Sequence, residues 1–289
     1  MKWTRGGSGN FVEDRRGQRG TGGPGLGGLG SLPIGKMGIG GVVLLIIIAL
    51  IGGPNILGGG SSDPGAGVQG GAPPDPATDP DRETVEFVKF VVSDLQQVWQ
   101  QKLGARFEPS TLVLFTGATQ TACGYGQSAM GPFYCPPDGK MYIDLSFFRE
   151  LDRRFGAPGD FAQAYVLAHE MGHHVQKLLG IDDEVRREQA HRPAGAKELQ
   201  VRMELMADCL AGVWGNSTSQ RKLLEAGDLE EGLRAAAAIG DDQLQKQAGG
   251  RVAPESWTHG SSEMRARWLR RGLESGDYKK CDTFAATDL

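Results

Sequence analysis

The sequence predicts a mostly helical α+β domain with a small sheet, set behind an N-terminal transmembrane helix and a flexible linker. Three observations predict it. Apolar residues recur at three- and four-residue spacing through several long segments after residue 82. Two short β-type runs, 111–116 and 140–145, lie close together and ahead of most of those segments. A charge-free apolar run and a Gly/Pro-rich stretch precede them all. Glycine supplies 45 of the 289 residues, and 24 of these fall in the first 75, so the first quarter cannot fill a packed core. The glycines have no three-residue period, which excludes collagen. A net charge of −4 and a pI near 5.8 speak against a nucleic-acid partner, which would demand a basic face.

Residues 1–36 read as a basic, Gly-rich tail. Lys2, Arg5, Arg15, Arg16, Arg19 and Lys36 stand against only Glu13 and Asp14. Met37–Gly53 holds no charge, and extending it to Leu57 brings it near the shortest length that crosses a bilayer. The run begins too late for a cleaved signal peptide, so 37–57 reads as an uncleaved signal-anchor. The positive-inside rule then puts the tail in the cytoplasm, and the chain after residue 57 in the periplasm or outside the cell. Residues 58–82 are Gly, Pro, Ser and Asp with little that is apolar, a flexible linker.

The folded domain runs from 83 to 289. Val85, Val88, Val91, Val92, Leu95, Val98 and Trp99 give one apolar face to a helix over 83–103. TLVLFT at 111–116 is a strand, 117–139 an irregular loop with two cysteines, and KMYIDL at 140–145 a second strand able to pair a substrate along its edge. Ser146 caps a helix to Phe155, which Pro158 and Gly159 end. Asp160 caps the helix 161–179, with Gly180 as its stop. Further helices follow at Lys197–Trp214, at Leu223–Ile239 with a break near Gly227, and from Ser261 or Ser262 to about Gly276. All four cysteines lie on the side predicted to be exported, so two disulfides are expected rather than four buried thiols. Three pairings are possible. Cys123–Cys135 closes a short Gly/Pro-rich loop and is favoured, which leaves Cys209–Cys281.

The 161–179 helix contains His169-Glu170-Met171-Gly172-His173-His174, an H-E-x-x-H pattern. Positions i and i+4 share a helix face, so His169 and His173 can reach one metal ion, and Glu170 can approach a water beside it. His174 points to another face, and Tyr165 lies one turn before His169. Catalytic zinc takes a third protein ligand. Glu204 is the best candidate, although spacing alone leaves His191 and His259 open. Asp208, four residues after Glu204, is placed to accept the free N–H of a ligating histidine. His259 is either a donor to a developing oxyanion or an ordinary loop histidine.

Several stretches together resemble the putative neutral zinc metallopeptidase family of bacteria. They are Ala164–His174, Glu204–Cys209, Cys123-Gly124, Gly131–Cys135, Asp144–Phe148, Thr258–Glu263 and Cys281–Phe284. The likeness runs from about residue 83 to 285. An Asn-Val-Glu-Asp-Arg-Arg-Gly pattern of the family also appears at Asn10–Gly17, with Phe11 inserted. The resemblance implies a membrane-anchored, zincin-like metalloprotease fold, a Zn2+ cofactor and a peptide or protein substrate. It carries the third ligand of an E-x-x-x-D segment onto Glu204, with Asp208 as its acidic companion. The expected reaction is hydrolysis of a peptide bond with Glu170 as general base. A zinc-stabilised binding or chaperone-like module without cleavage is the alternative, and a metal-free structural membrane protein the third reading.

Overall fold

The computed structural model describes residues 1–7, 9–18 and 71–289. These form a mostly helical α+β arrangement with a small sheet, as the hydrophobic periodicity predicts. A four-stranded sheet has the order β1 (Val12–Asp14), β2 (Thr111–Phe115), β6 (Lys140–Asp144), β5 (Phe133–Cys135). β1, β2 and β6 run parallel, and β5 pairs antiparallel with β6. β3 (Ala118–Thr121) and β4 (Gly124–Gln127) form a separate antiparallel hairpin inside the segment expected to be an irregular loop. β6 therefore lies inside the sheet, paired on both sides. The expectation that 140–145 presents a free edge is corrected: that edge belongs to β5.

One face of the sheet is covered by helices. α1 (Arg82–Leu103) buries Val88, Val91, Val92, Leu95 and Trp99, its expected apolar stripe. After α2 (Ser146–Arg153) comes α3 (Asp160–Leu178), which carries the H-E-x-x-H residues. α4 (Ile181–His191), α5 (Ala196–Gln220), α6 (Asp228–Ala238), α7 (Asp241–Gln247) and α8 (Ser262–Ser275) complete the helical layer. Neither α4 nor α7 was expected. Both are short and strongly polar, so no apolar stripe marks them. Of the two serines the sequence offers, Ser261 caps α8, accepting from the Met264 N–H at 3.2 Å. The other face of the sheet has its own small core of Val113, Phe115, Phe133 and Tyr142, where the Phe133 and Tyr142 rings stack with centroids 4.9 Å apart.

Both disulfides are present. Cys123–Cys135 pins the β3–β4 hairpin to β5, and Cys209–Cys281 ties the C-terminal segment to the middle of α5. α5 and α8 cross where Gly212 meets Gly272. A Cβ on Gly212 would stand 2.1 Å from the Leu269 carbonyl oxygen, so no larger residue fits this approach.

The apolar run 37–57 lies outside the described residues, as do residues 58–70 of the linker. Among the described residues no helix is long and apolar enough to cross a membrane. The tail departs from its expectation. Instead of standing apart from the domain, its described residues pack on it. β1 extends the sheet beside β2, Trp3 meets Phe87 edge-on at 5.5 Å, and the Arg16 guanidinium is held by Asp14 at 2.7 Å and Asp79 at 2.6 Å. The last part of the expected linker is held as well, because Arg16 and Asp79 are almost fully buried. A segment across a membrane from residues 83–289 could not make these contacts.

Candidate metal centre

α3 and α5 cross at Gly172. A Cβ there would lie 2.9 Å from the Ala207 carbonyl oxygen and 3.0 Å from its Cα, so the absence of a side chain lets the two backbones meet. That crossing sets the turn of α3 bearing His169 and His173 against the turn of α5 bearing Glu204 and Asp208. One nitrogen from each histidine and one Glu204 oxygen lie within 4.8 Å of one another. Glu204 Oε2 is 3.1 Å from His169 Nε2 and 3.7 Å from His173 Nε2. Of the three candidates for third ligand, the structure brings Glu204 to the pair. His191 is exposed at the end of α4, while His259 lines the cleft in front of the trio.

Each of the three is held by a further side chain. His169 Nδ1 donates to Asp208 Oδ1 at 2.8 Å, His173 Nδ1 donates to Gln176 Oε1 at 2.9 Å, and Gln200 Nε2 donates to Glu204 Oε1 at 2.8 Å. Both Nδ1 protons are thus engaged, which turns both Nε2 atoms toward Glu204 Oε2. Asp208 is fully buried and has a guanidinium against it: Arg265 donates from Nε to Oδ2 at 2.9 Å and from Nη2 to Oδ1 at 3.0 Å. The Tyr165 hydroxyl donates to the same Oδ1 at 2.6 Å. His174 faces away. It donates from Nε2 to the Glu108 carbonyl at 2.7 Å and accepts from the Tyr134 hydroxyl at 2.9 Å, so both ring nitrogens are engaged away from the trio.

The electrostatics favour a cation. Burial works against charging His169, but Asp208 and Glu204 outweigh it and hold the imidazole up at about 10. Burial would raise the Glu204 carboxyl, and the two histidines instead hold it well below its ordinary value. Burial also works against the Asp208 charge, yet Arg265 and His169 keep its carboxyl at about 2. The Glu170 carboxyl is raised, chiefly by burial, with the two imidazoles opposing. Two imidazole nitrogens and one carboxylate oxygen, each fixed by an outer hydrogen bond, fit Zn2+ with a position left open.

Glu170 lines the cleft beside the trio. One wall is Met130–Tyr134, the approach to β5 and part of that strand. Phe147, Phe155, Val166, Ile239 and Leu244 give it an apolar lining. His259 faces in from the loop before α8. Asp241 accepts from its Nδ1 at 3.1 Å and from the backbone N–H groups of Thr258, His259 and Gly260, so the loop and the ring are fixed together. Burial would raise the Asp241 carboxyl, but His259 and these N–H groups lower it on balance. Four residues of the site escaped the sequence reading. Gln176 stands three residues after His173, and Gln200 four before Glu204, so helical spacing could have found both. Arg265 and Asp241 arrive from α8 and α7, and no local pattern points to them.

The pattern that defines the putative neutral zinc metallopeptidase family matches residues 1–284. The chain belongs to this family. Its match takes in the N-terminal residues as well as the metal centre. The uncharacterized protein YpfJ of Escherichia coli strain K12 is 48% identical over 290 residues, covering 98% of this chain and 99% of that one. The uncharacterized protein Rv2575 of Mycobacterium tuberculosis strain H37Rv is 44% identical over 208 residues, 68% of this chain and 69% of its own. No solved structure gives a significant match.

Proposed function

We propose that the chain is a zincin-type peptidase, held at a membrane through 37–57 with residues 1–18 and 71–289 on the same side of it, that hydrolyses peptide bonds outside the cytoplasm. The observation that carries this reading is the trio of His169, His173 and Glu204, each with its own outer hydrogen bond, beside a raised Glu170 carboxyl in an open cleft. The family membership supports the zinc and the peptide substrate. Two disulfides support an oxidising compartment.

His169, His173 and Glu204 would hold the zinc, which supplies a Lewis acid able to polarise a carbonyl and acidify water. Glu170 takes the proton from the attacking water and passes it to the departing amine, a task that suits a carboxyl raised by burial above its ordinary value. With its Nδ1 proton on Asp241, His259 is oriented to donate from Nε2 toward the carbonyl oxygen as negative charge builds there, when that nitrogen is protonated. The substrate lies extended along β5, whose outer edge is unpaired among the described strands and borders the cleft. The apolar lining suits an uncharged side chain next to the scissile bond.

Glu170→Gln tests the assignment. Zinc should stay bound in near-stoichiometric amount while hydrolysis of a peptide library falls by about 10²–10⁴-fold. Full activity in that variant would remove Glu170 as the base. If the unmodified chain, loaded with zinc, cleaved no peptide and bound unfolded chains instead, the chaperone-like reading would replace this one.

A further inference from the structure

Along the chain, the lining of the cleft changes character at the metal motif. Ahead of His169 the lining side chains are largely apolar, as in Phe147, Phe155 and Val166. After His173 come four polar ones: Gln176 at the end of α3, Asp182 and Arg186 on α4, and Gln200 on α5. Gly180, at a φ of 79°, turns the chain straight from α3 into α4, which packs on both α3 and α5. Asp182 and Arg186 stand four residues apart on one face of α4, and both line the cleft.

Two of these residues hold polar atoms with nothing to bond. Among the described residues, Arg186 and Gln200 are the cleft-lining residues whose buried side-chain nitrogen or oxygen atoms lack a hydrogen-bond partner. Asp182 Oδ2 lies 2.9 Å from Arg186 Nε, an ion pair without hydrogen-bond alignment, and Nη2 has no acceptor. Asp182 therefore holds the guanidinium in place and leaves its fork of donors unused. The Arg186 side chain is 35% exposed, so a ligand can reach it. Gln200 is the opposite case. It is buried, and its Nε2 donates to Glu204 Oε1 at 2.8 Å, which fixes the amide and leaves Oε1 an acceptor without a donor. Folded proteins seldom leave such atoms unpaired, and here unpaired donors and an unpaired acceptor line the same cleft.

We propose that Arg186 and Gln200 form a subsite for a carboxylate-bearing residue of the peptide substrate, in which Arg186 receives the carboxylate and Gln200 Oε1 accepts a backbone N–H beside it. A guanidinium meets a carboxylate through two parallel N–H···O bonds, a fit that an ammonium or a neutral side chain does not reproduce. The carboxylate comes from the free C-terminus of the substrate or from an Asp or Glu side chain, and both present the same pair of oxygens. Because Gln200 also holds Glu204, the N–H it accepts lies close to the metal trio, and the carboxylate-bearing residue lies near the scissile bond. The inference rests on the peptidase reading and adds to it the class of substrate.

The test uses the full-length chain saturated with zinc and a peptide set built on any sequence it cleaves. At each position around the scissile bond the set offers a free C-terminus, a C-terminal amide, Glu or Gln. At one position, exchanging the carboxylate for its amide should lower kcat/KM by about 10–100-fold, mostly through KM. Arg186→Met should lose a similar factor on the acid peptide, cleave acid and amide alike, and keep its zinc. Arg186→Lys should restore part of the preference. Replacing the neighbouring N–H by an ester oxygen should cost the parent about 3–10-fold and cost Gln200→Met nothing further, with zinc held saturating for both. A preference met only by the free C-terminus describes an enzyme that trims chain ends, and one met equally by internal Glu an acid-selective endopeptidase; both support the subsite. Equal cleavage of acid and amide at every position by the parent would overturn the proposal, and so would a preference that survives Arg186→Met. An ester penalty undiminished in Gln200→Met would remove Gln200 from it. A zinc-loaded parent that cleaves no peptide would instead overturn the peptidase reading, and this inference with it.

Discussion

His169 and His173 present the same nitrogen to Glu204, but different groups hold them. Asp208, which carries charge, takes the His169 Nδ1 proton, while the neutral amide of Gln176 takes that of His173 and donates its own N–H to the Met203 carbonyl. The two supports should fail differently. Gln176→Met removes a hydrogen bond on each side and strands no charge. It should weaken zinc binding about 10–100-fold, measured by chelator competition, with a smaller loss of stability in the metal-free chain. Asp208→Asn leaves the Arg265 guanidinium buried without its counter-charge, so it should also lower the stability of the metal-free chain by about 3 kcal/mol. Equal metal-free stability for Asp208→Asn and the parent chain would show that Arg265 finds its compensation elsewhere. At this scale the sequence was readable wherever chemistry and helical spacing coincide, as in His169, Glu170, His173, Glu204 and Asp208. Gln176 and Gln200 share that spacing, but an amide carries no chemical flag.

The site depends on how closely α3 approaches α5, and that distance is set by Gly172 against Ala207. A leucine at 172 must push the helices apart or displace the backbone, because the opposing atoms belong to the main chain. Gly172→Leu should cost about 1–3 kcal/mol in Tm-derived stability and weaken zinc binding, since Glu204 moves away with α5. Unchanged stability and zinc affinity would show that the crossing tolerates bulk. Periodic apolar faces made α1, α3, α5 and α8 legible as elements. α4 and α7 were hidden by their polarity, and β1, β3, β4 and β5 are only three or four residues long. The order of the sheet is a further matter. KMYID reads as a strand, but nothing local says that it pairs with β2 on one side and β5 on the other. The free edge beside the cleft was consequently assigned to the wrong strand.

Across the whole molecule, the N-terminal segment constrains topology. Residue 18 ends one described stretch and residue 71 begins the next, and Gly17 sits directly against Ala72. The chain therefore returns to the place it left, and the apolar run 37–57 lies in the sequence between. A single membrane crossing between these points would put residues 1–18 and 71–289 on opposite sides. It would strip β1 from β2, and the buried Arg16 guanidinium from Asp79. Separating the last pair alone breaks two charge-assisted hydrogen bonds between Arg16 and Asp79, while Arg16 keeps Asp14. The positive charges of the tail argue for a cytoplasmic N-terminus, but that rule weighs loop charges and takes no account of a strand that the folded domain requires. The expected outcome is that both ends share one compartment. Cysteines placed singly at the exposed Arg5 and Glu274 should react alike with a membrane-impermeant maleimide in intact cells, both labelled or both protected until lysis. Opposite labelling would show that residues 1–18 do not join their own domain in the membrane, and would remove the shared compartment.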